Sequence, residues 1–250
     1  MKKLLYTVCM GEDRYVDMLN MCLYSLIKNG QFEGDIVVLC DFDKFDNRYG
    51  VDFGEVNCKV INIKNDMQNF GEWGMTKIAW YAKTTIFNYI NKKDYDEIMY
   101  LDIDTIVNKN INECFDQLKE YPIFVQHNDT WLSVEGHLKR LDRVYPISHI
   151  DFSKYKNASC CSGCFVLSDF KVIDEWNRLV YDVYAKNIKR MIGDQEILHL
   201  AIVNCGLEFR NINNVAFQYD LEKSNLIISH FTNIQYNNMK EYFFEKILNS

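Results

Sequence analysis

Short apolar runs alternate with segments of helical period along residues 1–107, and that alternation restricts the fold more than any other feature of the chain. Residues 4–10, rich in Leu, Tyr and Val and stopped by Gly11, read as a buried strand. Val16, Leu19, Leu23, Leu26 and Ile27 then share one helical face, and Gly30 stops that helix. Residues 36–40 and 60–63 read as two further strands. Residues 75–90 place Ile78, Ala79, Ala82, Ile86 and Ile90 at helical spacing and lead into a fourth strand at 97–101. Strands separated by helices cannot pair as hairpins, so they are joined by crossovers and lie parallel. An α/β fold with a mostly parallel central sheet flanked by helices is expected.

The second half is more mixed. It reads as a short helix at 113–119, a strand at 123–126, a polar region at 127–156 and a strand at 165–167. Helices at 169–186 and 194–203 and a short strand at 226–229 follow. Near the end, Met239, Tyr242, Phe243, Ile247 and Leu248 form one apolar helix face. The charges of Lys240, Glu241, Glu245 and Lys246 balance, which suits packing on the domain better than docking on a membrane. With 250 residues, 2 prolines and no linker-like tract, one domain over 1–250 is expected.

Charge and cysteine content narrow the function. Lys plus Arg number 28 against 35 Asp plus Glu, a formal net charge of −7, which opposes repeated contact with nucleic acid. The nine cysteines are odd in number and lie mostly within apolar runs, as expected of reduced core thiols. Glu12, Asp13 and Arg14 end the first apolar run without a small-residue cleavage site, and no stretch reaches the ~18 apolar residues of a membrane span. A cytoplasmic protein is the expectation.

Chemistry is concentrated in Ile98-Met99-Tyr100-Leu101-Asp102-Ile103-Asp104-Thr105, an apolar strand followed by two acids. Sites in open α/β sheets gather at the carboxyl ends of strands. If the backbone stays extended, Asp102 and Asp104 point to one side, where two hard oxygen ligands hold a divalent cation that takes further ligands from substrate phosphates. Two reactions use acids so placed: sugar transfer from a nucleotide diphosphate, and hydrolysis by a haloacid-dehalogenase-type phosphatase. The phosphatase strand normally opens its fold, whereas here about a hundred residues of α/β pattern precede it. Asp41 and Asp43 also follow a strand, but Asp46 and Arg48 nearby mark a charged, solvated loop. The run Cys160-Cys161-Ser162-Gly163-Cys164 lacks a second Cys or His pair for zinc.

Several segments, in order, resemble the glycogenin-like members of glycosyltransferase family 8. Thr7-Val8-Cys9-Met10 with Tyr15 is similar to the family's first strand and uridine loop, and Met75-Thr76-Lys77-Ile78 to its Thr-Lys helix start. Asp102-Ile103-Asp104 is similar to its metal motif, and Ser162-Gly163-Cys164-Phe165-Val166 to its Asn-Ser-Gly-Val-Phe strand. Gly193-Asp194-Gln195 is similar to its Gly-Asp-Gln helix start, and Ile228-Ser229-His230-Phe231 to its late strand ending in a metal-binding His. The resemblance implies a GT-A (Rossmann-like) fold and transfer of a hexose-type sugar from UDP to a carbohydrate or protein hydroxyl, with retention. Residues 1–107 would bind the nucleotide and 108–250 form the acceptor side. Mn2+ or Mg2+ would be held by Asp102, Asp104 and His230. The nucleotide sugar would meet Thr7, Tyr15, Lys77, Asp102, Ile103, Asp104, Ser162 and Gly163, and catalysis would rest on Asp194 and Gln195. Asp194 is also placed to cap its helix.

The chain departs from the family pattern at Cys161, where the family has Asn, and at Met191, where some members have Asp. After His230 it lacks the family's Gly and Lys, for which Lys240 is a candidate substitute. A nucleotidyltransferase and a sugar-nucleotide-binding protein without turnover stay open beside the phosphatase.

Overall fold

In the computed structural model, which describes residues 1–127, 134–142, 145, 147, 161–186, 192–217, 225–232 and 235–249, the alternation becomes a seven-stranded sheet. Its strands are β1 (Lys3–Cys9), β2 (Asp35–Cys40), β3 (Cys58–Asn62), β4 (Glu97–Leu101), β6 (Ile123–Gln126), β7 (Cys161–Leu167) and β8 (Arg210–Asn211). They are ordered β3-β2-β1-β4-β7-β6-β8. β1 pairs in parallel with β2 and β4, and β2 with β3; β7 runs antiparallel to both neighbours, β4 and β6. A smaller sheet has the order β5-β10-β9, from β5 (Thr105–Val107), β10 (Ile228–His230) and β9 (Val215–Phe217).

The central strands are apolar on both faces because both faces are covered. Leu4, Tyr6 and Val8 of β1 pack with residues of α3 (Met75–Thr84), α6 (Lys171–Lys186) and α7 (Asp194–Asn204). Leu5 and Cys9, on the other face, pack with residues of α1 (Asp13–Asn29) and α4 (Asn112–Asp116). Of the remaining helices, α2 (Lys64–Met67) follows β3, α5 (Val134–Leu141) lies in the segment read as a polar region, and α8 (Tyr236–Phe243) lies against α1. Met239, Phe243 and Ile247 join Met18, Met21, Ile106 and Phe231 in a third cluster, so the C-terminal apolar face packs inward. Asp17, buried on α1, adds a polar tie by accepting hydrogen bonds from Tyr236 and Tyr49.

Three local differences from the sequence reading have physical reasons. The helix expected to reach residue 90 stops at Thr84. The run Thr84-Thr85-Ile86 is β-branched, and both threonine hydroxyls bond back to carbonyls three residues earlier. The strand expected at 97–101 forms as β4, but residues 102–104 turn instead of staying extended, and β5 joins the other sheet. Asp194 does not cap α7. Gly193 holds the N-cap position without a side-chain cap, and the Asp194 carboxylate turns elsewhere. The described cysteines are all free thiols, and among the described residues no helix is long and apolar enough to cross a membrane. Most of 127–156, with Cys160 and Met191, lies outside the described residues.

Candidate active site

The buried strand β4 delivers Asp102 to the carboxyl edge of the main sheet. Two backbone ties fix the turn there: Asp102 N–H donates to the Gly163 carbonyl at 2.7 Å, and the Thr105 hydroxyl donates to the Asp102 carbonyl at 2.8 Å. β5 then pairs antiparallel with β10, setting His230 opposite Thr105, and Phe231 N–H donates to the Asp104 carbonyl at 2.7 Å. A motif local in sequence thus meets a histidine from the far end of the chain by strand pairing.

Asp102, Asp104 and His230 each bring a ligand atom within 4.8 Å of the others. His230 Nε2 is 3.1 Å from Asp104 Oδ1, and its Nδ1 is 2.8 Å from Gln126 Oε1. Burial disfavours charge on both members of the His230–Asp104 pair. At the imidazole the facing carboxylate outweighs burial, so His230 is raised well above the ordinary histidine range and holds a proton against Asp104. Two carboxylates and an imidazole suit a divalent cation that accepts both oxygen and nitrogen, such as Mn2+, better than one restricted to oxygen. The backbone lets His230 and Asp102 gather there. A Cβ at Gly163 would stand 2.3 Å from His230 Cε1 and 2.8 Å from Asp102 Oδ2, so only glycine fits at that place on β7.

Beside this cluster lies a buried chain of charge. Lys83 Nζ is 2.9 Å from Asp102 Oδ1 and 3.0 Å from Asp194 Oδ2. The Tyr100 hydroxyl donates to Asp102 Oδ1 at 2.5 Å. Burial alone would raise the Asp102 carboxyl, but Lys83, His230 and the Tyr100 hydrogen bond together hold it below the usual carboxylate range. Asp194 is raised, because burial there outweighs Lys83.

A cavity of about 290 Å³ opens over these groups. Val8, Met10, Gly11, Glu12, Tyr15 and Met18 line one side; Met75, Thr76, Ala79, Trp80 and Lys83 of α3 line another; Tyr100, Asp102, Ile103 and Asp104 complete it. Gly11 has a φ of 103°, in the left-handed region, and its N–H donates to Asp41 Oδ2 at 2.9 Å. Asp41, one of the acids read as a solvated loop, therefore steadies the loop that borders the cavity.

Of the residues expected at a site, Tyr15, Asp102, Ile103 and Asp104 line the cavity, and Gly163 and His230 adjoin its acids. Ser162 hydrogen-bonds Asp194, which meets the cavity through Lys83, and Gln195 follows in the first turn of α7. Thr7 and Lys77 are placed differently. Thr7 alternates onto the β1 face of Leu5 and Cys9, where its buried hydroxyl has no hydrogen-bond partner among the described residues. Lys77 is buried with Nζ 5.3 Å from the Tyr184 ring centroid, and burial lowers its pKa. Lys240 pairs with Asp17 at 3.3 Å.

The lysine in the cavity is Lys83, which the sequence reading passed over. Thr76, Ala79, Trp80 and Lys83 fall at i, i+3, i+4 and i+7, so a cation in line with a tryptophan on one helix face was the available signal. Tyr100, inside β4, and Gln126, at the end of β6, were missed because both strands read as plain core.

Residues 7–158 match the model of the family described as glycosyl transferase family 8. Among curated protein sequences, none matches the chain. In structure, the chain is similar to mouse xyloside xylosyltransferase 1 in its apo form, at 12% identity and a TM-score of 0.59, covering 94% of this chain and 99% of that one. It is similar to the galactosyltransferase LgtC in complex with donor and acceptor sugar analogs, at 15% identity and a TM-score of 0.62, covering 98% and 96%. The bifunctional glycosyltransferase WbbM aligns at 13% identity and a TM-score of 0.65, over 98% of this chain and 50% of that one. These likenesses identify the fold as GT-A.

Proposed function

The chain belongs to glycosyltransferase family 8, and from that membership we propose that it moves a hexose-type sugar from a UDP-sugar to a carbohydrate or protein hydroxyl, with retention at the anomeric carbon. One observation carries this proposal beyond the family: Lys83 lies between Asp102, a member of the cation-ligand cluster, and Asp194, at the start of α7. A phosphate-binding centre and a group suited to sugar hydroxyls are thereby held next to each other.

In this reading Asp102, Asp104 and His230 hold the cation. When bound, Mn2+ or Mg2+ supplies Lewis-acid stabilisation of the departing diphosphate. Tyr15 and Trp80 offer aromatic faces to the uracil, and Lys83 adds fixed positive charge near the diphosphate. Asp194, kept in place by Lys83, accepts hydrogen bonds from sugar hydroxyls. The Gln195 amide faces positive charge developing at the anomeric carbon. The acceptor oxygen bonds to that carbon as the bond to the diphosphate breaks, and the hydroxyl proton leaves on the diphosphate oxygen. Positioning and electrostatics supply most of the barrier reduction. One catalytic domain acting in the cytoplasm is part of the same proposal.

A panel of nucleotide sugars with and without Mn2+ tests it by thermal unfolding. A ligand at a hundredfold excess over its Kd stabilises by about 2.7 kcal/mol, or roughly 5–10 °C for a chain of this size. The expected result is a metal-dependent rise with a UDP-sugar. No rise with any uridine nucleotide in the presence of metal overturns the donor assignment.

A further inference from the structure

Gln126 is fully buried at the end of β6, and its Oε1 lies 2.8 Å from His230 Nδ1, on the side of the ring away from Asp104. A break in register brings it there. Val125 pairs with Phe165 but Gln126 pairs with Cys161, so β7 carries Ser162, Gly163 and Cys164 between two successive pairings. Irregularities of this kind are common beside active sites, where they re-aim side chains. Here the same irregularity brings Gly163 against His230 and Asp102 and sets Gln126 behind the ring.

We propose that Gln126 is the positioning residue of the cation site, its amide oxygen accepting the Nδ1 hydrogen of His230 so that Nε2 is the nitrogen presented toward Asp104 and a bound cation. The inference rests on the metal-dependent transferase reading above and concerns this chain's own residues. With the amide reversed, an N–H would face Nδ1, the ring hydrogen would move to Nε2, and no lone pair would point at the cation. The oxygen-first orientation is therefore the one compatible with ligation, and it leaves Gln126 Nε2 buried without a hydrogen-bond partner among the described residues. An unsatisfied buried N–H group is costly, so its presence marks the amide as held for what its oxygen does. A ligating histidine commonly donates its second N–H to a carboxylate or carbonyl, and loss of that acceptor typically costs 10–100-fold in metal affinity. A neutral amide orients the ring without adding a third negative charge to a site that already has two.

Mn2+ binding without nucleotide, read from the electron paramagnetic resonance of free Mn2+, tests the proposal on the full chain. Gln126→Leu keeps the volume and removes the acceptor, and is expected to weaken Mn2+ by roughly 10–100-fold. Gln126→Glu restores an acceptor with charge and is expected to bind at least as tightly as wild type. In a His230→Ala background, Gln126→Leu is expected to change Mn2+ affinity by less than about twofold, because the amide acts through the ring. Thermal unfolding of the metal-free variants separates these effects from loss of fold. If wild type binds Mn2+ and Gln126→Leu binds it equally, the positioning role is overturned while the transferase reading stands. A Gln126→Leu loss that persists without His230 overturns it too. If wild type takes up no Mn2+ with or without UDP, the metal-dependent reading itself falls, and this proposal with it.

Discussion

Lys83 Nζ lies 3.0 Å from Asp194 Oδ2 with only 8% and 6% of the two side chains exposed, so a buried ion pair joins the end of α3 to the start of α7. Lys83 also serves the partly buried Asp102, so Lys83→Met takes the counter-ion from both acids at once. Removing one partner of a buried pair costs about 3–5 kcal/mol. The loss has a pH signature. An orphaned buried carboxyl titrates above its unfolded value of about 3.9 and is penalised while charged, so the penalty fades as pH falls through the raised pKa. Urea unfolding of wild type and variant is expected to differ most near neutrality and to converge on acidification.

Gly163→Ala places a methyl group where His230 Cε1 and an Asp102 oxygen already stand. Either the ring or the carboxylate must move, and the ligand set opens. Metal-dependent thermal stabilisation is expected to disappear, while far-ultraviolet circular dichroism of the metal-free protein stays that of wild type.

Cation binding has to displace the proton that His230 holds against Asp104. Because the histidine is raised, the proton is bound in the metal-free state and leaves when Nε2 becomes a ligand. Mn2+ affinity is therefore expected to rise with pH up to the raised histidine pKa and to level off above it. Calorimetry in buffers of different ionisation enthalpy is expected to report about one proton released per ion.

Asp194→Asn leaves the Gly193 N-cap untouched and leaves Lys83 its second partner, Asp102. Turnover is expected to fall while affinity for UDP, which lacks the transferred sugar, changes little. Gln195→Ala is expected to lower kcat by about 100-fold, the cost of removing one group that stabilises transition-state charge. Steady-state kinetics with saturating donor, beside direct UDP titration, separate binding from catalysis. Wild-type rates in both variants would leave these residues with structural roles.

The acids of the candidate cation site were legible because an apolar run, Ile98 to Leu101, precedes them and α/β strands present their carboxyl ends to ligands. His230 was legible only through its resemblance to a known pattern, since β10 is three residues long and three-residue strands leave no periodicity to read. Lys83 left only its alignment with Trp80 on one helix face to read. A lysine near a helix end reads as solvated, and only the approach of Asp102 and Asp194 from separate elements makes it a buried counter-ion. Lys77 shows the converse: local likeness drew attention to it, while the helix face it occupies turns toward Tyr184. Gln126 depends on a slipped strand register, a tertiary event that composition does not encode.

All seven strands of the main sheet precede β10 in chain order, and the candidate cation ligands Asp102 and Asp104 precede it too. Domains fold as synthesis proceeds, N-terminal parts first. The nascent chain can therefore complete its main sheet, and the cavity residues it carries, before it owns a cation site. Only when His230 has emerged and β10 has zipped onto β5 do the third ligand and its two acids meet. A chain synthesised only as far as β8 in this way carries the scaffold of the main sheet without its third candidate ligand.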